Sequence, residues 1–244
     1  MNNEYLDKLP HDIRSLVEEI EEKSDIEIEI QIDATRISRS FDQKGSLACE
    51  VDQYSARILI PTADYFPEGS VLHELLHIRR FLLEGVPQIV VCDDYEDWTP
   101  QLDKGLRDLD NRLEHLVIVP EELNLRPDRR SYWESVMCRV LDELQTTSIS
   151  EDDRKRYAQL DWIFVRNVVD SCCLTEQAQS LTTQLGIIEQ AASFNAALLL
   201  SLPSKESTVR VCFEHLNIPF EIAALEYLNS RNGTKHTVNL MDIA

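Results

Sequence analysis

Glycine and proline are scarce in this 244-residue chain, at 6 and 9, which excludes collagen-like and low-complexity disordered architectures. The six cysteines show no CxxC spacing, and the adjacent pair Cys172-Cys173 cannot easily staple distant segments, so a disulfide knot is excluded. They read as reduced thiols, mostly buried, with a structural role for the adjacent pair. No apolar run approaches the roughly 20 residues that cross a bilayer, and the opening MNNEYLDKLPHDIRS lacks an apolar signal core. The expectation is a cytoplasmic protein with no membrane partner. Basic residues are also few: 24 Lys and Arg stand against 44 Asp and Glu, a formal net charge of −20. The average field repels phosphate backbones, so no nucleic-acid partner is expected.

What the chain does have is a change of pattern along its length. LPHDIRSLVEEIEEKS spaces Ile13, Leu16, Val17 and Ile20 as a helix does, and DIEIEIQID then alternates as a strand does. SLACEVD and SARILIP continue in short β-branched runs set apart by FDQKG and QY, predicting a small sheet within residues 25–61. A helix is predicted from Ser70 to about Glu84, stopped by Gly85 and Pro87, with PQIVVC as a further extended segment. Beyond Asp97 helical periodicity dominates, with helices expected near 99–118, 130–147, 152–171, 174–200, 204–216 and 219–230. RNGT at 231–234 reads as a turn and TVNLMDI as a last short strand.

The chemistry concentrates in VLHELLH, where His73, Glu74 and His77 form the HExxH pattern. On a helix the two imidazoles lie about 40° apart, with Glu74 about 60° further round. Val71, Leu72, Leu75, Leu76, Ile78 and Leu82 fill the opposite arc. Two imidazoles so placed can share a Zn²⁺ ion, the expected cofactor, which lowers the pKa of water toward about 7. Glu74 is then the catalytic residue, general base first and general acid later. Catalytic zinc takes three protein ligands. The metzincin extension is excluded because Arg80 and Leu83 stand where glycine and histidine would be needed. The next helix, LRDLDNRLEHLVIVP, puts Leu106, Leu109, Leu113, Leu116 and Val117 on one face and Asp108, Glu114 and His115 around Asn111 on the other.

With HELLH followed by NRLEHLVIVP, the chain resembles the ImmA/IrrE-type zinc metallopeptidases over roughly residues 46–122. That gluzincin-like group has a strand, an HExxH helix and a second helix supplying an acidic ligand. Asn111, Leu113 and Pro120 keep the spacing of its second-helix signature. The expected metal ligands are His73, His77 and Glu114, because Glu reaches further than Asp and sits in a compact NxxEH cluster; Asp108 and His115 stay open as alternative ligands or transition-state donors. His215, His236, Tyr54 and Tyr132 are further candidates for the donor that binds the oxyanion. The resemblance also implies that ARILIP is an edge strand able to pair with an extended peptide.

The expected fold class is therefore α+β: a zincin-like small sheet with an HExxH active-site helix over residues 1–123, then a mainly helical region over 124–244 for scaffolding or recognition. The expected function is zinc-dependent hydrolysis of peptide bonds in a protein or peptide substrate. A cytoplasmic peptidase calls for narrow specificity or a regulatory protein partner. The alternative is a zincin-fold interaction or regulatory protein without catalysis. Arg79 and Arg80 offer paired donors for a substrate carboxylate, or else they offset local acidity.

Overall fold

A computed structural model describes residues 1–39 and 46–243; the FDQKG separator at 41–45 lies outside the described residues. The fold is α+β. Its elements are α1 (Asn3–Leu6), α2 (His11–Ser24), β1 (Ile28–Ile32), β2 (Ala48–Val51), β3 (Ala56–Ile60), α3 (Glu68–Leu82), β4 (Gln88–Val91), α4 (Pro100–Leu125), α5 (Arg130–Thr146), α6 (Glu151–Phe164), α7 (Cys172–Gln184), α8 (Ile188–Ser201), α9 (Lys205–Leu216), β5 (Ala223–Asn229) and β6 (Thr234–Asn239). The chain clusters into two compact units, Met1–Ile89 with Leu225–Val238, and Val90–Ala224 with the residues from Asn239 on.

In the first unit, Ile13, Val17 and Ile20 bury the inner stripe of α2 while Glu18, Glu19 and Glu22 face solvent. Beside it stands a mixed three-stranded sheet of order β1-β3-β2, with β1 parallel and β2 antiparallel to β3. ARILIP is thus the central strand, which corrects its expected place at the edge. The physical reason lies in its own residues: Ile58, Leu59 and Ile60 are buried in succession, as a strand covered on both faces requires. The half-exposed ACEV of β2 takes the edge.

α3 begins after Pro67 with Glu68 in its first turn and ends with Arg79 and Arg80 in its last, charges that complement the helix dipole at both ends. Gly85 follows at φ +66°, a left-handed position that suits glycine. Every residue from Val71 to Ile78 is buried, so this helix has no solvated face over its central two turns. It packs on α2 and on edge strand β2.

The second unit is helical. α4 starts at the Thr99 side-chain cap and runs through Pro120 to Leu125, past its expected end at 118. The later residues bury Ile118, Val119, Glu122 and Leu123, and Glu122 Oε1 and Oε2 accept from Arg129 Nε at 2.6 Å and Trp133 Nε1 at 3.1 Å. These contacts hold the turn that proline would otherwise open. The single helix expected over 174–200 is two, α7 and α8, because Gly186 takes φ +70° between them. The helix expected over 219–230 is instead a short 3₁₀ turn and strand β5. It forms a second sheet of order β4-β5-β6. RNGT is the turn before β6, with Gly233 at φ +61°.

Candidate metal centre

α3 carries His73, Glu74 and His77, which are 8%, 8% and 5% exposed. One helical turn brings the two imidazoles edge to face with ring centroids 5.0 Å apart, and His77 stacks on Phe81 one turn further on. Glu74 has Cys49 of β2 among the groups that act on its carboxyl. Burial holds the Glu74 carboxyl above the ordinary range, against the opposing pull of His73, the Cys49 thiol, Arg36 and the Cys49 N–H. Burial likewise raises the Cys49 thiol, and the neighbouring Glu74 carboxylate pushes it further the same way. That thiol therefore stays protonated.

On α4 the three expected candidates for the third ligand have separate surroundings. Asp108 is exposed and paired with Lys104 Nζ at 2.8 Å. Glu114, only 1% exposed, has its Oε1 2.6 Å from Lys205 Nζ, which lies equally close to Asp110 Oδ1. The two carboxylates raise Lys205 above the ordinary ammonium range although burial acts to lower it. His115 is half-buried, its ring edge to face with Trp133 at 5.3 Å.

Within the first unit, His73 and His77 offer two imidazoles one helical turn apart that could hold a metal ion; His115 belongs to α4 of the second unit. Two imidazoles at this spacing fit two of the three protein ligands of zinc sites that do chemistry. No family model, curated protein or solved structure matches the chain.

The other expected oxyanion donors have local partners of their own. His215 stacks on Phe194 with centroids 5.0 Å apart, His236 stacks on Tyr227 at 4.7 Å, and Tyr132 lies under the Arg129 guanidinium at 3.9 Å. Tyr54 is 72% exposed at the β2-β3 turn. Arg79 Nε and Arg80 Nη1 both pair with Glu84, at 2.9 and 3.2 Å, an arrangement that offsets local acidity. All six cysteines are free, but Cys138, Cys172 and Cys173 are exposed, which corrects the expectation that most are buried and that the adjacent pair packs inside. Sequence reasoning missed Cys49 and Lys205. No spacing rule links Cys49 to Glu74 across the sheet, and a lone lysine opening a helix carries no sign of its two acidic partners. No helix among the described residues is long and apolar enough to cross a membrane.

Proposed function

We propose that the chain is a zinc-dependent peptidase in which His73, His77 and His115 hold the ion and Glu74 moves the proton. The observation that carries this reading is the pair of imidazoles one turn apart on a helix that also presents a buried glutamate; His115 is assigned the third place because Asp108 and Glu114 are each paired with a lysine. Zinc, when bound, supplies Lewis acidity that activates water and polarises a carbonyl. The chain's own residues do the rest. Glu74, next in sequence to a ligand and buried, is the group that takes a proton and returns it to a leaving amine. The apolar arc of α3, with Leu72, Leu75, Leu76 and Ile78 at 2% exposure or less, fixes the helix so that neither imidazole can drift. β2, antiparallel at the sheet edge and packed on α3, is the strand to which an extended peptide could add.

The ImmA/IrrE-type likeness supports this reading through HELLH and the mixed sheet beside it. This chain departs from that group in the ligand proposed from α4: an imidazole replaces the acidic group, and Glu114 serves Lys205 instead. A zincin-like fold for the first unit, a protein or peptide substrate and a cytoplasmic setting belong to the same proposal.

Metal analysis of the purified chain beside His73→Ala, His115→Ala and Glu114→Gln is the test. Stoichiometric zinc in the wild type and in Glu114→Gln, with loss in both histidine variants, is the expected result. Zinc retained by His115→Ala refutes the ligand set. Glu74→Gln should keep zinc while losing at least roughly a hundred-fold in peptide hydrolysis, as removal of a general base does; undiminished hydrolysis refutes the catalytic assignment.

A further inference from the structure

Three helices of the second unit, α4, α5 and α6, each bring a ring to one corner: His115, Trp133 and Phe164. The imidazole lies edge to face with the indole, centroids 5.3 Å apart and planes at 71°, and is tilted at 48° to the Phe164 ring 6.5 Å away. Trp133 and Phe164 meet each other at 5.6 Å and 61°. Both are buried, so the core sets these two walls, while His115 keeps part of its surface open. Such contacts depend on the angle between ring planes as well as on distance.

The indole is itself tied down. Its Nε1–H donates to Glu122 Oε2 at 3.1 Å, and the other oxygen of that fully buried carboxylate accepts from Arg129 Nε at 2.6 Å. The Arg129 guanidinium lies over the Tyr132 ring at 3.9 Å, and Tyr132 meets Trp133 edge to face at 5.6 Å. Glu122 follows His115 by seven residues, two helical turns, so both side chains leave the same stripe of α4. One indole therefore bridges them, hydrogen-bonded to the first and in ring contact with the second. Phenylalanine could supply the ring contact but has no N–H for Glu122 to hold.

We propose that Trp133 is the positioning residue for His115: held by Glu122 and Arg129, its indole and the Phe164 ring together fix the rotation of the imidazole about its two side-chain torsions. The inference rests on the reading of His115 as the third metal ligand. Metal-binding imidazoles are oriented by groups outside the ligand set, and loss of such a group lowers metal affinity about 10–100-fold. Here the orienting group is an aromatic wall, and the carboxylate acts one step further out, through the indole.

In the metal-free chain, NMR relaxation of the His115 ring carbons, assigned by their loss in His115→Ala, reads the mobility of the imidazole with no assay of hydrolysis. The ring should be as rigid as the backbone in the wild type and gain mobility in Trp133→Leu. Trp133→Phe, which keeps an aromatic ring in case the leucine variant unfolds, should give a smaller gain of the same sign. Glu122→Gln retains a carbonyl oxygen for the indole N–H and should leave the His115 ring close to wild type. Zinc affinity, measured by competition with a chromogenic chelator, should fall about tenfold in Trp133→Phe and toward a hundred-fold in Trp133→Leu. Leu141→Ala, at a fully buried position two turns further along α5, should destabilise the fold yet leave zinc affinity within about twofold of wild type. A His115 ring equally rigid in wild type and both Trp133 variants overturns the proposal, and so does a Leu141→Ala variant that loses as much zinc affinity as Trp133→Leu. A wild type that binds no zinc, with His115 loosened in the Trp133 variants, would sink the ligand reading alone. Zinc lost on His115→Ala but held at full affinity by both Trp133 variants would sink the positioning role alone.

Discussion

Lys205 is an unusual residue to find at the first position of a helix, since the dipole there disfavours a cation and burial disfavours it further. Asp110 and Glu114, one turn apart on α4, are what make it tenable, each 2.6 Å from the ammonium. Replacing Lys205 by methionine keeps the volume but leaves two buried carboxylates facing each other. The expected cost is about 3–5 kcal/mol, as for other buried pairs broken on one side, measured by urea unfolding. A loss below about 1 kcal/mol would mean that the pairing contributes little. Adding Glu114→Gln to Lys205→Met should recover part of the loss, because one of the two stranded charges is gone. Asp52 presents a second residue-scale balance. Burial acts to raise its carboxyl, but the amides of Tyr54 and Ser55 and the Ser55 hydroxyl, at 2.7, 2.8 and 3.0 Å, outweigh that and leave it lowered. A lowered carboxyl pKa contributes stability that is present above the unfolded value of about 3.9 and disappears as pH falls through the folded value. Asp52→Ala should accordingly cost about 1–2 kcal/mol at neutral pH, and the gap from wild type should close in acid, below the folded value. A gap that stays constant across the acid titration would assign the loss to packing instead.

Among the elements, what could be read from sequence was whatever local periodicity decides. α2, α3, α5 and α9 fall within a few residues of expectation because each has an apolar stripe at helical spacing with a clear stop, such as Gly85 after α3. β1 and β3 follow from alternation and from a β-branched run. Errors arose where a non-local partner overrules a local signal. EIAALEYLN reads as a helix by propensity, with Ala, Leu and Glu all good helix formers, yet it lies between β4 and β6, and Ala223, Ala224 and Leu225 are buried at 1% exposure or less. Tertiary pairing takes precedence over propensity there. α4 runs past its expected end at 118 for a similar reason, since Glu122 is fully buried and tied to Arg129 and Trp133. The candidate site was half legible. His73, Glu74 and His77 are local and were visible. The choice among Asp108, Glu114 and His115 depends on Lys104, Lys205 and Trp133, and of these only Lys104 lies within one helical turn of the residue it occupies.

At the scale of the whole molecule, the compact units are not successive halves of the chain. Residues 225–238 return to the first unit after more than a hundred residues spent in the second. A return of that length carries no sequence signature: closing a long loop is entropically expensive but only weakly dependent on its length, so the pairing is decided by what is buried at the end. The return strand must therefore hold its place by direct contacts. β5 lies in the middle of its sheet, and β4 has β5 as its sheet neighbour. Gly233 closes the β5-β6 turn in a left-handed conformation, so close beneath Tyr54 that an added Cβ would lie 2.4 Å from the ring. Ending the chain after Ala224 removes β6, all but the first two residues of β5 and this contact with Tyr54. Amides of Ile89 and Val91 should then lose protection by several orders of magnitude, since strands left without a partner exchange as an unfolded chain does, and the first unit should melt at lower temperature. The helices of the second unit, which pack through α5-α6-α7 and α8-α9 contacts, should keep their own protection. Unchanged exchange at Ile89 and Val91 in the shortened chain would show that β4 is held by something other than the returning strand.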